Sequence, residues 1–215
     1  QEQNIYADIS YTISTSEEGR LAFGLKGGVT LFDVGLLSAV LPQTLPGVDP
    51  AFADNINESF PTFGAGAYYY NERFYVGLSV PNILEKLHIE KGGNLALRAA
   101  EETHYFLTAG YVFDLSETLK FKPSTMIKGV SGSPVSLDVS ANFLINEKFT
   151  LGAAYRWSAA LSGLVGFQAS DEIFIGFGYD FQTTDLEDYS DGSYEIMLRF
   201  DVFNKPERVL TPRFF

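Results

Sequence analysis

Residues 135–145 read VSLDVSANFLI, with Val135, Leu137, Val139, Ala141, Phe143 and Ile145 apolar and Ser136, Asp138, Ser140 and Asn142 polar between them; Leu144 is the one break. A period of two belongs to a β-strand with one apolar and one polar face. The same alternation returns at Phe149–Trp157, at Tyr105–Phe113, at Ile173–Phe181, at Tyr194–Val202 and at Ile5–Ile13. It predicts about eleven strands, over 3–14, 20–32, 62–70, 73–80, 103–114, 119–130, 135–145, 148–158, 160–169, 172–182 and 193–203. Most have the roughly 9–11 residues that a tilted strand needs to cross a bilayer.

The connections alternate in length. SEEG (16–19), NE (71–72), SET (116–118), NE (146–147) and the break near Ser170–Asp171 are tight, whereas the connections between them are 33–61, 81–102, 131–134, a short one near Ser158–Ala159, and 183–192, so that nearly all the long loops fall on one rim. Short turns on one rim and long loops on the other are the habit of a membrane barrel, with the short side in the periplasm. The fold expected is therefore all-β: a transmembrane antiparallel up-and-down β-barrel over 1–203, followed by a periplasmic tail over 204–215. Such barrels close with an even strand number, so at least one N-terminal strand beyond the visible eleven, absent here or supplied by something else, is expected, for a total of about 12 or 14. The competing fold is a soluble sandwich, in which the apolar face would turn inward over a core.

In the barrel the apolar face meets lipid, with ring pairs such as Tyr155 and Trp157, or Tyr179 and Phe181, near strand ends as an aromatic girdle. The other face then lines the lumen. Its charged candidates are Asp8, Lys26, His104, Asp114, Lys128, Asp138, Arg156, Asp180, Glu195 and Arg199, with Lys120 and Lys122 on the same face. Both signs occur, which predicts a salt-bridge and hydrogen-bond network rather than a filter of one sign. Large side chains on that face (Tyr68, Tyr70, Phe106, Phe174, Met197) predict an occluded interior.

Composition narrows the chemistry. The 215 residues carry a formal net charge of −12 with no basic run, which argues against nucleic acid. Cysteine is absent, so disulfides, thiolate metal sites and cysteine nucleophiles are absent too. No apolar run approaches the roughly 20 residues of a membrane helix. The 20 glycines, 19 phenylalanines and 12 tyrosines suit strands with two unlike faces.

The loops supply the remaining candidates. In 33–61, Leu36, Leu37 and Phe52 are candidate partner contacts, with a plug or cap over the mouth as the plainer reading. In 81–102, Ile83, Leu84 and Leu87 have near-helical spacing and predict a short amphipathic helix, either a docking surface or a lid. Asp185, Asp188 and Asp191 offer the oxygens that calcium takes, but Tyr189 breaks the EF-hand spacing, so a solvated acidic loop and no cofactor are expected. His104 has no GxSxG nucleophile to serve and His88 no second histidine nearby, so no enzymatic activity is expected.

Read in order, DPAF (49–52), FPTFGAGAYYYNERFYVGLSVPNIL (60–84), THYFLTAGYVF (103–113), LKFKPSTMIK (119–128), SPVSLDVSANFLI (133–145), FTLGAAYRW (149–157), FIGFGYDF (174–181) and GSYEIMLRFDV (192–202) resemble the PorP/SprF family of Bacteroidota. These are outer-membrane proteins of the type IX secretion system. The resemblance implies a non-enzymatic barrel in the outer membrane of a Gram-negative bacterium that helps secrete or anchor large surface proteins, gliding adhesins among them. It implies as partners a secreted surface protein or its C-terminal sorting domain, together with periplasmic ring and peptidoglycan-binding components. The family's N-terminal YNPAYAG-like pattern is not found here. The alternative function is a passive porin-like channel or transporter for small solutes.

Overall fold

The computed structural model describes residues 2–34, 56–84, 86–87, 100–184 and 191–200. Its strands are β1 (Glu2–Ser14), β2 (Arg20–Val34), β3 (Ile56–Tyr70), β4 (Phe74–Val80), β5 (Lys86–Leu87), β6 (Ala100–Glu101) and β7 (His104–Tyr111). They continue with β8 (Phe113–Asp114), β9 (Leu119–Val130), β10 (Ser136–Ile145), β11 (Phe149–Arg156), β12 (Ala160–Gln168), β13 (Ile173–Gln182) and β14 (Ser193–Phe200). Twelve strands form one antiparallel sheet in the order β1-β2-β3-β4-β7-β9-β10-β11-β12-β13-β14, with β8 beside β9, and no described residue is helical. Along that path the strands follow one another in chain order, a meander compatible with an up-and-down barrel.

The eleven strands expected from the alternation are the eleven of that path, with three corrections. β3 begins at Ile56 rather than 62, so the connection from β2 is shorter than 33–61. The strand expected over 103–114 breaks at Val112, whose N–H leaves the ladder for the carbonyl of Arg73 at 2.7 Å. Among the described residues no helix forms around Ile83–Leu87: Lys86–Leu87 pair with Ala100–Glu101 as a separate two-stranded ribbon. Upstream, the N–H of Ile83 donates to the carbonyl of Phe63 at 2.8 Å, which holds 81–83 extended beside β3. A few apolar residues at helical spacing do not offset helix nucleation when a neighbouring strand already takes the backbone groups.

The chain divides into two compact units. One comprises Gln1–Tyr11, Phe23–Gly66 and Ser79–His104; the other comprises Thr12–Ala22, Ala67–Leu78 and Tyr105–Phe215. In the second unit the tight turns close by local bonds. Asn71 receives the N–H groups of Arg73 and Phe74 on its side-chain oxygen at 2.9 and 2.7 Å. Asn146 and Glu147, at φ of 52° and 56°, make the two-residue turn whose twist matches the flanking strands.

Register carries the alternation across this unit. One row reads Phe143, Leu151, Val165, Phe177 and Ile196; the row beside it on the other face reads Asn142, Gly152, Leu164, Gly178 and Glu195. The apolar row is open, with Leu151 47 % and Val165 49 % exposed, while Gly166 and Gly176 on the opposite face are buried. Among the described residues only Tyr75, Val112 and Ala160 are buried hydrophobics. A sandwich would bury Val139, Leu151 and Ile175 between layers; here they are exposed. An apolar surface this broad needs an apolar surrounding, and a bilayer supplies it to strands of this length.

A lysine at Ile175, in the middle of this band, is expected to cost about 2–4 kcal/mol. A lysine at Ser162, on the covered face, is expected to cost less. Urea titration of the protein in lipid vesicles, followed by the fluorescence of the single tryptophan, Trp157, measures both.

Candidate functional site on the covered face

The candidate site is the face opposite the apolar band, and in the second unit it is built on glycine and aromatic rings. The aryl ring of Phe174 on β13 lies over Gly166 and Gly176, in the space their side chains would need. Tyr75 covers Gly110, and Tyr68 covers Gly77, whose added Cβ would stand 2.8 Å from the ring. Tyr68 in turn stacks on Tyr75 at 5.8 Å and leans on Tyr70 at 5.5 Å. Glycine is therefore required at these strand positions by close approach, and the rings take over the packing that the strand would otherwise lack.

Polar groups occupy the rest of this face. Asp138 on β10 holds Lys128 of β9 at 2.8 Å and Arg156 of β11 at 2.9 Å. The register explains the cluster: Asp138 stands opposite Arg156, and Lys128 opposite Ser136 one step away on the same face. The next row joins Ser124 to Ser140 at 2.6 Å, and the amide of Asn142 donates to Ser140 at 3.4 Å. Lys122, opposite Asn142, is only 7 % exposed. Near the tight turns, Arg199 lies over the Phe174 ring at 5.1 Å and donates to Gln168 at 3.4 Å.

Of the charged residues singled out from the sequence, Lys128, Asp138 and Arg156 are thus brought into one cluster. Asp114 pairs with Arg73 at 3.0 Å in a well-exposed setting beside the turns. Asp180 stands in the row of Ser162 and Ser193. Asp8 on β1 and Glu195 on β14 are exposed. In the first unit, Lys26 caps the ring of Tyr6 at 3.7 Å and the Nδ1 of His104 lies 2.9 Å from the carbonyl of Glu102. Ile83 and Leu84 are exposed, at 48 % and 41 %. Leu87 falls in β5, and Leu36, Leu37, Phe52, Asp185 and Asp188 lie outside the described residues. Asp191 is exposed, and its carbonyl accepts the Tyr179 hydroxyl at 2.9 Å. Among the described residues no group of acidic or histidine side chains is arranged to hold a metal ion.

Two features escaped the sequence reading. Thr30 and Thr62, 2 % and 1 % exposed, meet at 3.3 Å, and Thr30 donates to Asn4 at 2.7 Å. The threonines sit in alternating strands like many others, so only pairing reveals that they meet. Most of the glycine–ring contacts join residues on different strands, Phe174 over Gly176 within β13 being the exception, and a signal for them did exist in the density of both residue types.

Two measurements check the site. Valine at Gly166 must displace the Phe174 ring and is expected to cost about 1–3 kcal/mol, whereas alanine at Gly163, where nothing lies within 4 Å, is expected to be nearly neutral; urea midpoints decide. A double-mutant cycle on Lys128 and Asp138 is expected to give a larger coupling than one on the exposed Arg73–Asp114 pair, which should return about 0–1 kcal/mol.

The protein-family profile described as "Type IX secretion system membrane protein PorP/SprF" matches residues 1–200. No curated protein and no solved structure matches the chain. The match runs through every strand of the sheet, from β1 to β14. With an all-β meander whose apolar side chains are exposed, the chain belongs to the PorP/SprF family of type IX secretion system membrane proteins.

Proposed function

We propose that this protein is a non-enzymatic outer-membrane component of the type IX secretion machinery that helps export or anchor large surface proteins. Family membership carries the reading, since it makes the chain a type IX secretion component. The outward apolar band supports the bilayer as its location, because strands that expose such rows of Leu, Val and Phe are stable only in hydrocarbon. A bacterial protein that spans with strands belongs in the outer membrane. The covered face supports a holding role over a chemical one. It offers ion pairs, hydroxyls and ring-covered glycines, and the side chains described there form no nucleophile–base pair of the kind acyl-transfer chemistry needs.

In this reading the tight turns at Ser16–Gly19, 71–72, 116–118, 146–147 and 170–171 face the periplasm, toward ring and peptidoglycan-bound components. The longer connections face outward, toward the secreted protein or its C-terminal sorting domain. Gliding motility follows where the cargo is an adhesin.

Deleting the gene in its own host and quantifying the surface and periplasmic proteomes tests the proposal. Loss of large surface proteins, with unprocessed material retained inside, is expected. An unchanged surface proteome, together with steady large conductance of the purified protein in planar bilayers, overturns it in favour of a passive channel.

A further inference from the structure

Gly166 and Gly176 on the covered face lie under a ring, whereas Gly163, on the apolar face, lies under nothing: no atom comes within 4 Å of where its Cβ would stand. In register, Gly163 stands beside Ala153, and Ala153 beside Ala141. These three small residues on β10, β11 and β12 form the floor of an open apolar groove of about 470 Å³ within the second unit. Its wall on the tight-turn side is the row of Phe143, Leu151, Val165 and Phe177. On the other side stands the row of Val139, Tyr155 and Leu161, all exposed. Tyr179 closes the β13 end, with its ring 4.9 Å from that of Tyr194 and its hydroxyl donating to the carbonyl of Asp191 at 2.9 Å.

We infer that this groove is a lipid site, in which one acyl chain of a membrane lipid lies as a fixed neighbour of β10–β13. Its place, width and chemistry decide the occupant. Ala153 is four residues from the start of β11 and three from its end, so the groove opens in the middle of the exposed apolar band, where hydrocarbon reaches its mouth. The two walls are four residues apart along each strand, about 13 Å between backbones, and the side chains of both walls narrow that span. An α-helix, about 10–12 Å across with its side chains, does not fit between them. An extended peptide fits but would lie with its N–H and C=O groups unpaired, because the backbone of β10–β12 is already spent in the ladders. The floor and walls offer methyl groups and rings, and the one hydroxyl at the end already donates to Asp191. From β10 to β13 the groove runs about 14 Å at the spacing of strands, a length suited to part of one acyl chain. Between apolar partners in a bilayer the attraction is packing rather than escape from water. A chain seated on the floor gains contacts on three sides that a chain on a flat surface lacks.

The inference goes beyond the export reading and rests only on its membrane location, so the surface-proteome experiment is untouched by its outcome. The test places the full chain in phospholipid vesicles with a small, rising fraction of a phospholipid that carries a parinaroyl chain, and reads energy transfer from the single tryptophan, Trp157, to that chain. Trp157 is four residues beyond Ala153 on the same face, about 13 Å at the rise of a strand and within reach of such transfer. At low probe fraction the transfer is expected to exceed random mixing on the order of fivefold and to saturate at one chain per protein. The variant carrying Ala153→Leu and Gly163→Leu fills the groove and should return to random mixing. Gly163→Leu alone, whose new atoms enter open space, makes the same comparison where the double variant does not insert. Ile175→Phe adds bulk to the same face outside the groove and should leave the excess unchanged. Superimposed curves for the wild type and the filled variants overturn the inference, as does an equal loss in Ile175→Phe. Superimposed curves together with a smaller assembly on filling the groove also overturn it, and assign the groove to a second copy of the chain. Absence of transfer in every protein overturns the membrane location and the inference with it.

Discussion

A strand with hydrocarbon against one face has no water to satisfy its amides, so every N–H and C=O must find a partner in the protein. That requirement costs several kcal/mol per group when it fails. It explains why the described residues fall almost wholly into antiparallel ladders and why the tight turns close on themselves. Thr15 bonds Gly19, Asn71 gathers two N–H groups, and Leu115 bonds Leu119 at 2.9 Å. It also explains Val112, which leaves one ladder only to donate to Arg73.

With the backbone satisfied, polarity inverts. In a water-soluble protein Leu151, Val165 and Phe177 would make the core; here they are the surface, and the packing role passes to the opposite face. A sheet face of alternating glycines would leave voids, and each void forfeits dispersion contacts. Rings fill them: Phe174 over Gly166 and Gly176, Tyr75 over Gly110, Tyr68 over Gly77. The polar side chains then need not supply the packing. They are free to be charged, provided their charges are paired, as around Asp138, or left near water, as at Arg73 and Asp114.

The strand path was legible because its signal is local. Val139, Phe143 and Leu151 declare their face by spacing alone, and eleven such segments place themselves in order. The face that carries the exposed apolar side chains was legible too, since Val139, Leu151 and Ile175 share it by spacing and are exposed. What hid from the sequence is whatever depends on register. Asp138 between Lys128 and Arg156 is a coincidence of three strands, and nothing in 119–130 or in 148–158 announces it. The spacing of Ile83, Leu84 and Leu87 pointed to a helix because a periodicity test sees only the chain itself. The bond from Ile83 to Phe63 and the pairing of Lys86 with Glu101 come from elsewhere.

The same backbone requirement bears on the two ends of the sheet. β1 and β14 each have one neighbour in the strand order, and β14 is exposed on both faces along Ser193–Leu198. Tyr194, Ile196 and Leu198 are nonetheless as apolar as any row in the sheet, with Ile196 83 % exposed. Soluble proteins blunt such an edge with lysine, proline or a bulge. β14 carries no lysine or proline: Tyr194, Ile196, Leu198 and Phe200 line one face, and Ser193, Glu195, Met197 and Arg199 the other. Among the described residues this apolar edge has one strand neighbour, and its backbone groups on the other side suit a further strand. In a membrane the partner must be another strand, because neither lipid nor a helix can return the hydrogen bonds that a strand edge offers.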